Sequence, residues 1–124
     1  MTSQYLANSA YSPAQNAVRT ERGTEYAAFE RVTAQLSRAD KPEASVAQRA
    51  AALHDNRRLW TLLATNVADS DNALPQSLRA QIFYLAEFTF HHSSKALSGG
   101  LALAPLIEIN TAVMRGLRGE AQAA

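Results

Sequence analysis

The sequence predicts an all-α protein: one small bundle of about four main helices, preceded by a short N-terminal helix or arm. Three observations carry that expectation. Alanine is abundant while glycine and proline number only 5 and 4, a composition that favours helix. Apolar residues recur at spacings of three and four, and no stretch alternates as a half-buried strand would. Proline, glycine and Asp/Asn clusters fall between these periodic stretches, where chain reversals belong.

Residues 1–12 hold Tyr5, Leu6 and Tyr11 in a polar setting and read as an arm or a short helix. Pro13 suits a first helical turn. Gly23 is expected to break that helix, with Thr24 as the next N-cap and Glu25 in the first turn near the positive end of the dipole. Tyr26, Phe29, Val32, Thr33 and Leu36 then form one stripe that Asp40-Lys41-Pro42 ends.

The next helix is expected from Glu43 to about Asp69. Its core stripe is Val46, Ala50, Leu53, Arg57, Trp60, Leu63, Ala64 and Val67, widened by Leu59 and Leu62. Asp69-Ser70-Asp71-Asn72 is a turn signal, because these side chains compete for backbone hydrogen bonds. Pro75 opens a helix running to about Leu97. Leu78, Ile82, Leu85 and Thr89 form one row on it, with Phe83, Tyr84, Phe88 and Phe90 around the rest of the circumference. A helix apolar on most faces is either central or offers a face to a partner, so these four aromatics are candidate partner-binding residues. Ser98-Gly99-Gly100 stops the helix. Pro105 starts the last one, with Leu106, Ile109, Val113 and Leu117 in a stripe, Gly116 and Gly119 weakening its end, and residues 119–124 as a frayed tail. The whole of 1–124 reads as a single domain.

Several classes of chemistry find no support. The chain has no cysteine, so disulfides and thiolate metal sites are out, as suits a reducing cytoplasm. His91 and His92 are neighbours and point about 100° apart on a helix, so they do not chelate one ion. His54-Asp55 faces two directions for the same reason, no serine sits in a nucleophile elbow, and Ser98-Gly99-Gly100 lacks the lysine of a phosphate loop. We therefore expect no enzymatic activity, no cofactor and no metal. No apolar run approaches the ~18 residues of a membrane helix, and the N-terminus lacks a basic stretch before an apolar one. With 12 basic and 11 acidic residues the formal charge is +1, which gives no push toward nucleic acid or membrane. The arginines that could hold RNA are interleaved with acids such as Asp55, Glu21 and Glu30, so direct RNA contact is not favoured.

The most diagnostic polar residues are Asn56 and Arg57, one turn before Trp60. A buried guanidinium needs acceptors, and Glu108 on the last helix could supply them, so Arg57 is expected to anchor the central helix to the last one. Trp60 is expected in the core. Arg58 is kept as a partner-contact residue, and Pro75, Glu108 and Asn110 are grouped with Asn56, Arg57 and Trp60 as structural anchors.

An ordered set of motifs resembles one family. Gly23-Thr24-Glu25-Tyr26 with Phe29-Glu30-Arg31-Val32-Thr33, then Asn56-Arg57-Arg58-Leu59-Trp60, Asn72-Ala73-Leu74-Pro75 with Leu78-Arg79-Ala80-Gln81, and Pro105-Leu106-Ile107-Glu108-Ile109-Asn110 with Met114-Arg115-Gly116-Leu117 are together similar to the FlaF family of flagellar biosynthesis regulators. The resemblance covers about residues 4–118. It implies a cytoplasmic module needed for flagellin synthesis and export, working alongside a second regulator, FlbT. It further implies flagellin as the partner, bound by a chaperone or by a sensor of its level; capture of an amphipathic flagellin segment at apolar helix faces is the physical expectation that goes with it. The competing implication is post-transcriptional control of flagellin mRNA, directly or with FlbT.

Overall fold

The computed structural model describes the backbone of residues 13–69, 71 and 74–123 and the side chains of residues 26–69, 71 and 74–116. The expected N-terminal arm lies outside the described residues. Four helices follow one another: α1 Pro13–Ala39, α2 Val46–Ala68, α3 Gln76–Gly99 and α4 Ala104–Ala123, with no strand among the described residues. They run up-down-up-down. α1 packs on α2 and on α4, α2 packs on α3, and α3 and α4 meet least.

The helix boundaries follow from local chemistry. α1 passes straight through Gly23, contrary to the expected break. One interior glycine costs only about 1 kcal/mol against alanine, and no proline or Asx residue follows it to turn the chain. α2 starts at Val46, later than Glu43, because Ser45 caps it: the Gln48 amide donates to Ser45 Oγ at 3.1 Å, and the Ser45 amide to Gln48 Oε1 at 2.8 Å. Arg79 closes the other end of α2, donating through Nε to the Val67 carbonyl at 2.8 Å and through Nη2 to that of Asp69 at 3.2 Å. Pro75 is the N-cap residue of α3, and its carbonyl accepts the Arg79 amide at 3.0 Å. α3 stops at Gly100, whose φ of 72° is the left-handed conformation that glycine adopts without penalty. The α2 residue Arg49 braces this end by donating to the carbonyls of Ala96 and Leu101. α4 begins one residue before Pro105 and continues through Gly116 and Gly119 to Ala123, past the expected fraying point.

The start of α4 is tied to the end of α1. The Leu103 amide donates to Asp40 Oδ1 at 2.9 Å, and the Leu103 carbonyl accepts from Leu106 and Ile107. A carboxylate at this point also opposes the positive end of the α4 dipole. Asp40→Ala is expected to lower stability by about 1 kcal/mol, the usual loss for a helix cap; a thermal melt measures it, and an unchanged midpoint would remove Asp40 from this role.

Two adjoining clusters make the core. One, toward the α1–α2 and α3–α4 turns, holds Val32, Leu36, Leu53, Ala96, Leu103 and Leu106. The other, toward the opposite end, holds Phe29, Trp60, Leu63, Val67, Ile82 and Ala86. Two apolar stripe expectations fail, besides that for Arg57, which is exposed. Val46 is 82% exposed and Leu62 is 59% exposed. Val46 stands in the first turn, beyond the reach of the neighbouring helices. Leu62 falls between the exposed Arg58 and Asn66, on the side of α2 turned away from the core.

Candidate functional site

Trp60 organises the middle of the bundle. Its ring is fully buried and meets Phe29 edge-on, with centroids 5.6 Å apart and planes at 88°. Its indole N–H donates to Asn110 Oδ1 at 2.9 Å, and Asn110 Nδ2 donates to Asn56 Oδ1 at 2.8 Å. Both asparagines are fully buried. The tie between the central and last helices is therefore this amide chain. Asn56 lies about 100° round the helix from Arg57, and only Asn56 faces inward.

Arg57 departs from expectation. It is exposed, and its guanidinium lies 5.5 Å from the centre of the Phe90 ring, with Nη1 donating to Ser94 Oγ at a long 3.5 Å. It links α2 to α3 instead of reaching Glu108, which is itself exposed on α4. The physical reason is desolvation: a guanidinium with a flexible stem reaches water more cheaply than it enters the core. Arg58 is also exposed. Arg57→Ala is accordingly expected to cost at most about 1 kcal/mol, the scale of an exposed cation–π contact, and Arg58→Ala to be silent in the same melt. A loss of several kcal/mol at Arg57 would mean that its contact with Phe90 is tighter than an exposed one.

The aromatics of α3 divide into two flanks. Phe83 and Phe90 are seven residues apart, on the flank toward α2, and Phe90 is half-buried under Arg57. Tyr84 and Phe88 are four apart on the other flank, 70% and 41% exposed. Phe88 stacks on His92, with centroids 5.7 Å apart, and His92 Nε2 donates to the Ala102 carbonyl at 2.9 Å. That bond closes the α3–α4 seam at the turn end.

Further along, the seam opens into a cleft of about 550 Å³. Leu74, Leu78, Ile82 and Leu85 form one wall, Ala112, Val113 and Gly116 the other, with Gln81 and Tyr84 also lining it. Small residues on the α4 wall leave the space unfilled. A Cβ placed on Gly116 would meet nothing within 4 Å, so the packing of the fold itself does not require glycine there. Among the described residues the lining carries no Asp, Glu, Lys, Arg or His. Such a site can take up apolar side chains and offers no acid–base pair. Tyr84 also lines a shallower depression with Glu87, Phe88 and His91.

Of the partner-binding candidates from the sequence, the structure places Tyr84 at this cleft, Phe88 beside it, and Phe83, Phe90 and Arg58 elsewhere. The sequence puts Leu78 and Leu85 in one row of α3 without naming them as partner-binding residues, and reads Gly116 as weakening a helix end. The signal that could have found the cleft is the pair Ala112 and Gly116, one turn apart, opposite the leucine row. Among the described residues no group of three or more His, Cys, Asp or Glu is placed to hold a metal ion, and no helix is long and apolar enough to cross a membrane.

A family model described as Flagellar protein FlaF matches residues 7–117. No curated protein and no solved structure matches the chain.

Proposed function

The chain belongs to the FlaF family of flagellar proteins, and from that premise we propose that it binds flagellin in the cytoplasm, chaperone-like, and so supports flagellin synthesis and export. What carries the reading is the open apolar seam between α3 and α4. Three of the four neighbouring helix pairs pack closely, while this one leaves leucine, isoleucine and valine side chains facing a void. A seam between two helices suits an amphipathic helix anchored at i, i+3, i+4 and i+7. From Leu78 to Leu85 the α3 wall spans roughly 10 Å, about two turns, which matches the i to i+7 reach of such a set of anchors. Flagellin must stay unpolymerised before export, and on this reading the seam captures its amphipathic terminal segments. The proposed activity is binding, with no reaction step.

The experiment is a calorimetric titration with flagellin monomer and, separately, with assembled filament. Monomer binds and filament does not. Affinity holds through moderate salt, because apolar burial and not charge supplies it. Absence of a complex at tens of micromolar, or steep weakening with salt, would count against the cleft as the site. One observation favours the alternative, control of flagellin mRNA directly or with FlbT: the exposed Arg57 laid on Phe90 is an arginine–aromatic pair of the kind that holds single strands. Against it, Arg49 and Arg79 donate to helix-end carbonyls and do not form a free basic face.

A further inference from the structure

The described lining of the α3–α4 cleft carries no charged side chain, and it has a counterpart in this chain. Residues 1–18 contain no Asp, Glu, Lys, Arg or His; the first charged side chain is Arg19, in a sequence that is 19% charged. That stretch still carries Tyr5, Leu6 and Tyr11. A segment without charged side chains carries no charge to desolvate when it docks, and its two tyrosines and one leucine can cover an apolar surface.

Placement agrees. Phe29 of α1 faces Trp60 of α2, and Val67 of α2 accepts from Arg79 of α3. Counting along these antiparallel pairs sets the cleft wall at Leu78 and Ile82 level with roughly residues 21–25 of α1. Pro13, where α1 begins, therefore lies at the cleft's end of the bundle, about 12–18 Å beyond its middle along the axis. The eight residues back to Tyr5 reach up to about 26 Å. The span is sufficient for the segment to turn back into the seam.

We propose that residues 1–12 of this chain occupy the α3–α4 cleft when no partner is bound, and that an incoming partner helix displaces them. The second half rests on the flagellin reading; the first does not. Tethering supplies an effective concentration in the millimolar range. A contact too weak to detect between separate molecules thus fills the cleft intramolecularly, and lowers partner affinity by the fraction occupied.

Because the native chain has no cysteine, Ser3→Cys gives a unique site for a nitroxide label. Paramagnetic broadening of methyl signals is then read at Leu78, Leu85 and Val113, and at Val46 and Leu97 toward the other end. Dilution with unlabelled protein removes intermolecular effects. The expected result is selective loss of the three cleft signals, abolished when Tyr5, Leu6 and Tyr11 are all changed to serine. Equal broadening in the serine variant, or none in either, overturns the proposal, since a tethered but undocked tail would behave that way. The displacement is tested by deleting residues 2–12 and titrating flagellin monomer. A several-fold gain in affinity is expected; equal affinity with and without the segment overturns displacement. If the cleft signals broaden selectively but neither form binds flagellin, occupancy stands and it is the flagellin reading that fails.

Discussion

Trp60→Ala is expected to lower stability by about 3–5 kcal/mol and the melting midpoint by roughly 10–20 °C for a chain of this size. The side chain is the largest of those fully buried, so truncation opens a cavity against Phe29 and removes the donor that satisfies Asn110. That loss is a large share of the roughly 5–15 kcal/mol available to a domain of this kind. Trp60→Phe separates the two contributions. It keeps most of the volume and deletes only the N–H, so the expected cost is about 1–3 kcal/mol for an amide oxygen left buried and unpaired. A shift of only a degree or two in Trp60→Ala would place the ring outside the core and break the amide chain that joins α2 to α4. A Trp60→Phe protein as stable as the parent would instead show that the Asn110 bond is replaced by another donor.

Much of this core was legible because burial leaves a period. Phe29, Leu36, Leu53, Trp60, Ile82 and Leu106 recur at helical spacing, and all six are buried. Turn chemistry was equally readable at Pro75 and Gly100, where a proline and a left-handed glycine each have a specific local role, whereas the bond from Leu103 to Asp40 joins residues 63 apart and leaves no local signal. The misses have physical causes. Val46 and Leu62 are apolar at acceptable spacings, but period alone does not say where a stripe ends or how far a neighbouring helix reaches. Arg57 and Asn56 are adjacent in sequence and both polar, so choosing the buried one requires knowing that an amide partner, Asn110, stands opposite. Gly23 was over-read, since a lone glycine weakens a helix without ending it. The cleft was illegible for a different reason. It is made by the two neighbouring helices that meet least, and the leucines lining it carry the same periodic signature as leucines in a core.

Gly116→Leu should uncouple stability from binding. Inside the fold, glycine at this helical position costs about 1 kcal/mol relative to a good helix former, and nothing lies within 4 Å of the position a Cβ would take. A leucine there restores helix propensity and projects into the seam beside Val113 and Leu85, covering apolar surface. The melting midpoint is therefore expected to hold or rise by a few degrees. Flagellin affinity, in contrast, is expected to fall by about tenfold to a hundredfold, equivalent to roughly 1.4–2.7 kcal/mol, because the side chain takes the volume the partner would fill. The opposite pairing of results is what a purely structural cleft would give: a more stable protein with unchanged flagellin binding would mean that the seam is unfilled space and that the partner docks elsewhere, with the α2-side flank of Phe83 and Phe90 the next surface to test. A less stable protein would mean that α3 and α4 stand closer in solution than the 550 Å³ opening allows. Gly116→Ala, smaller by three carbons, is expected to give the same stabilisation with a smaller loss of affinity, so the two variants together grade binding against the volume removed from the cleft.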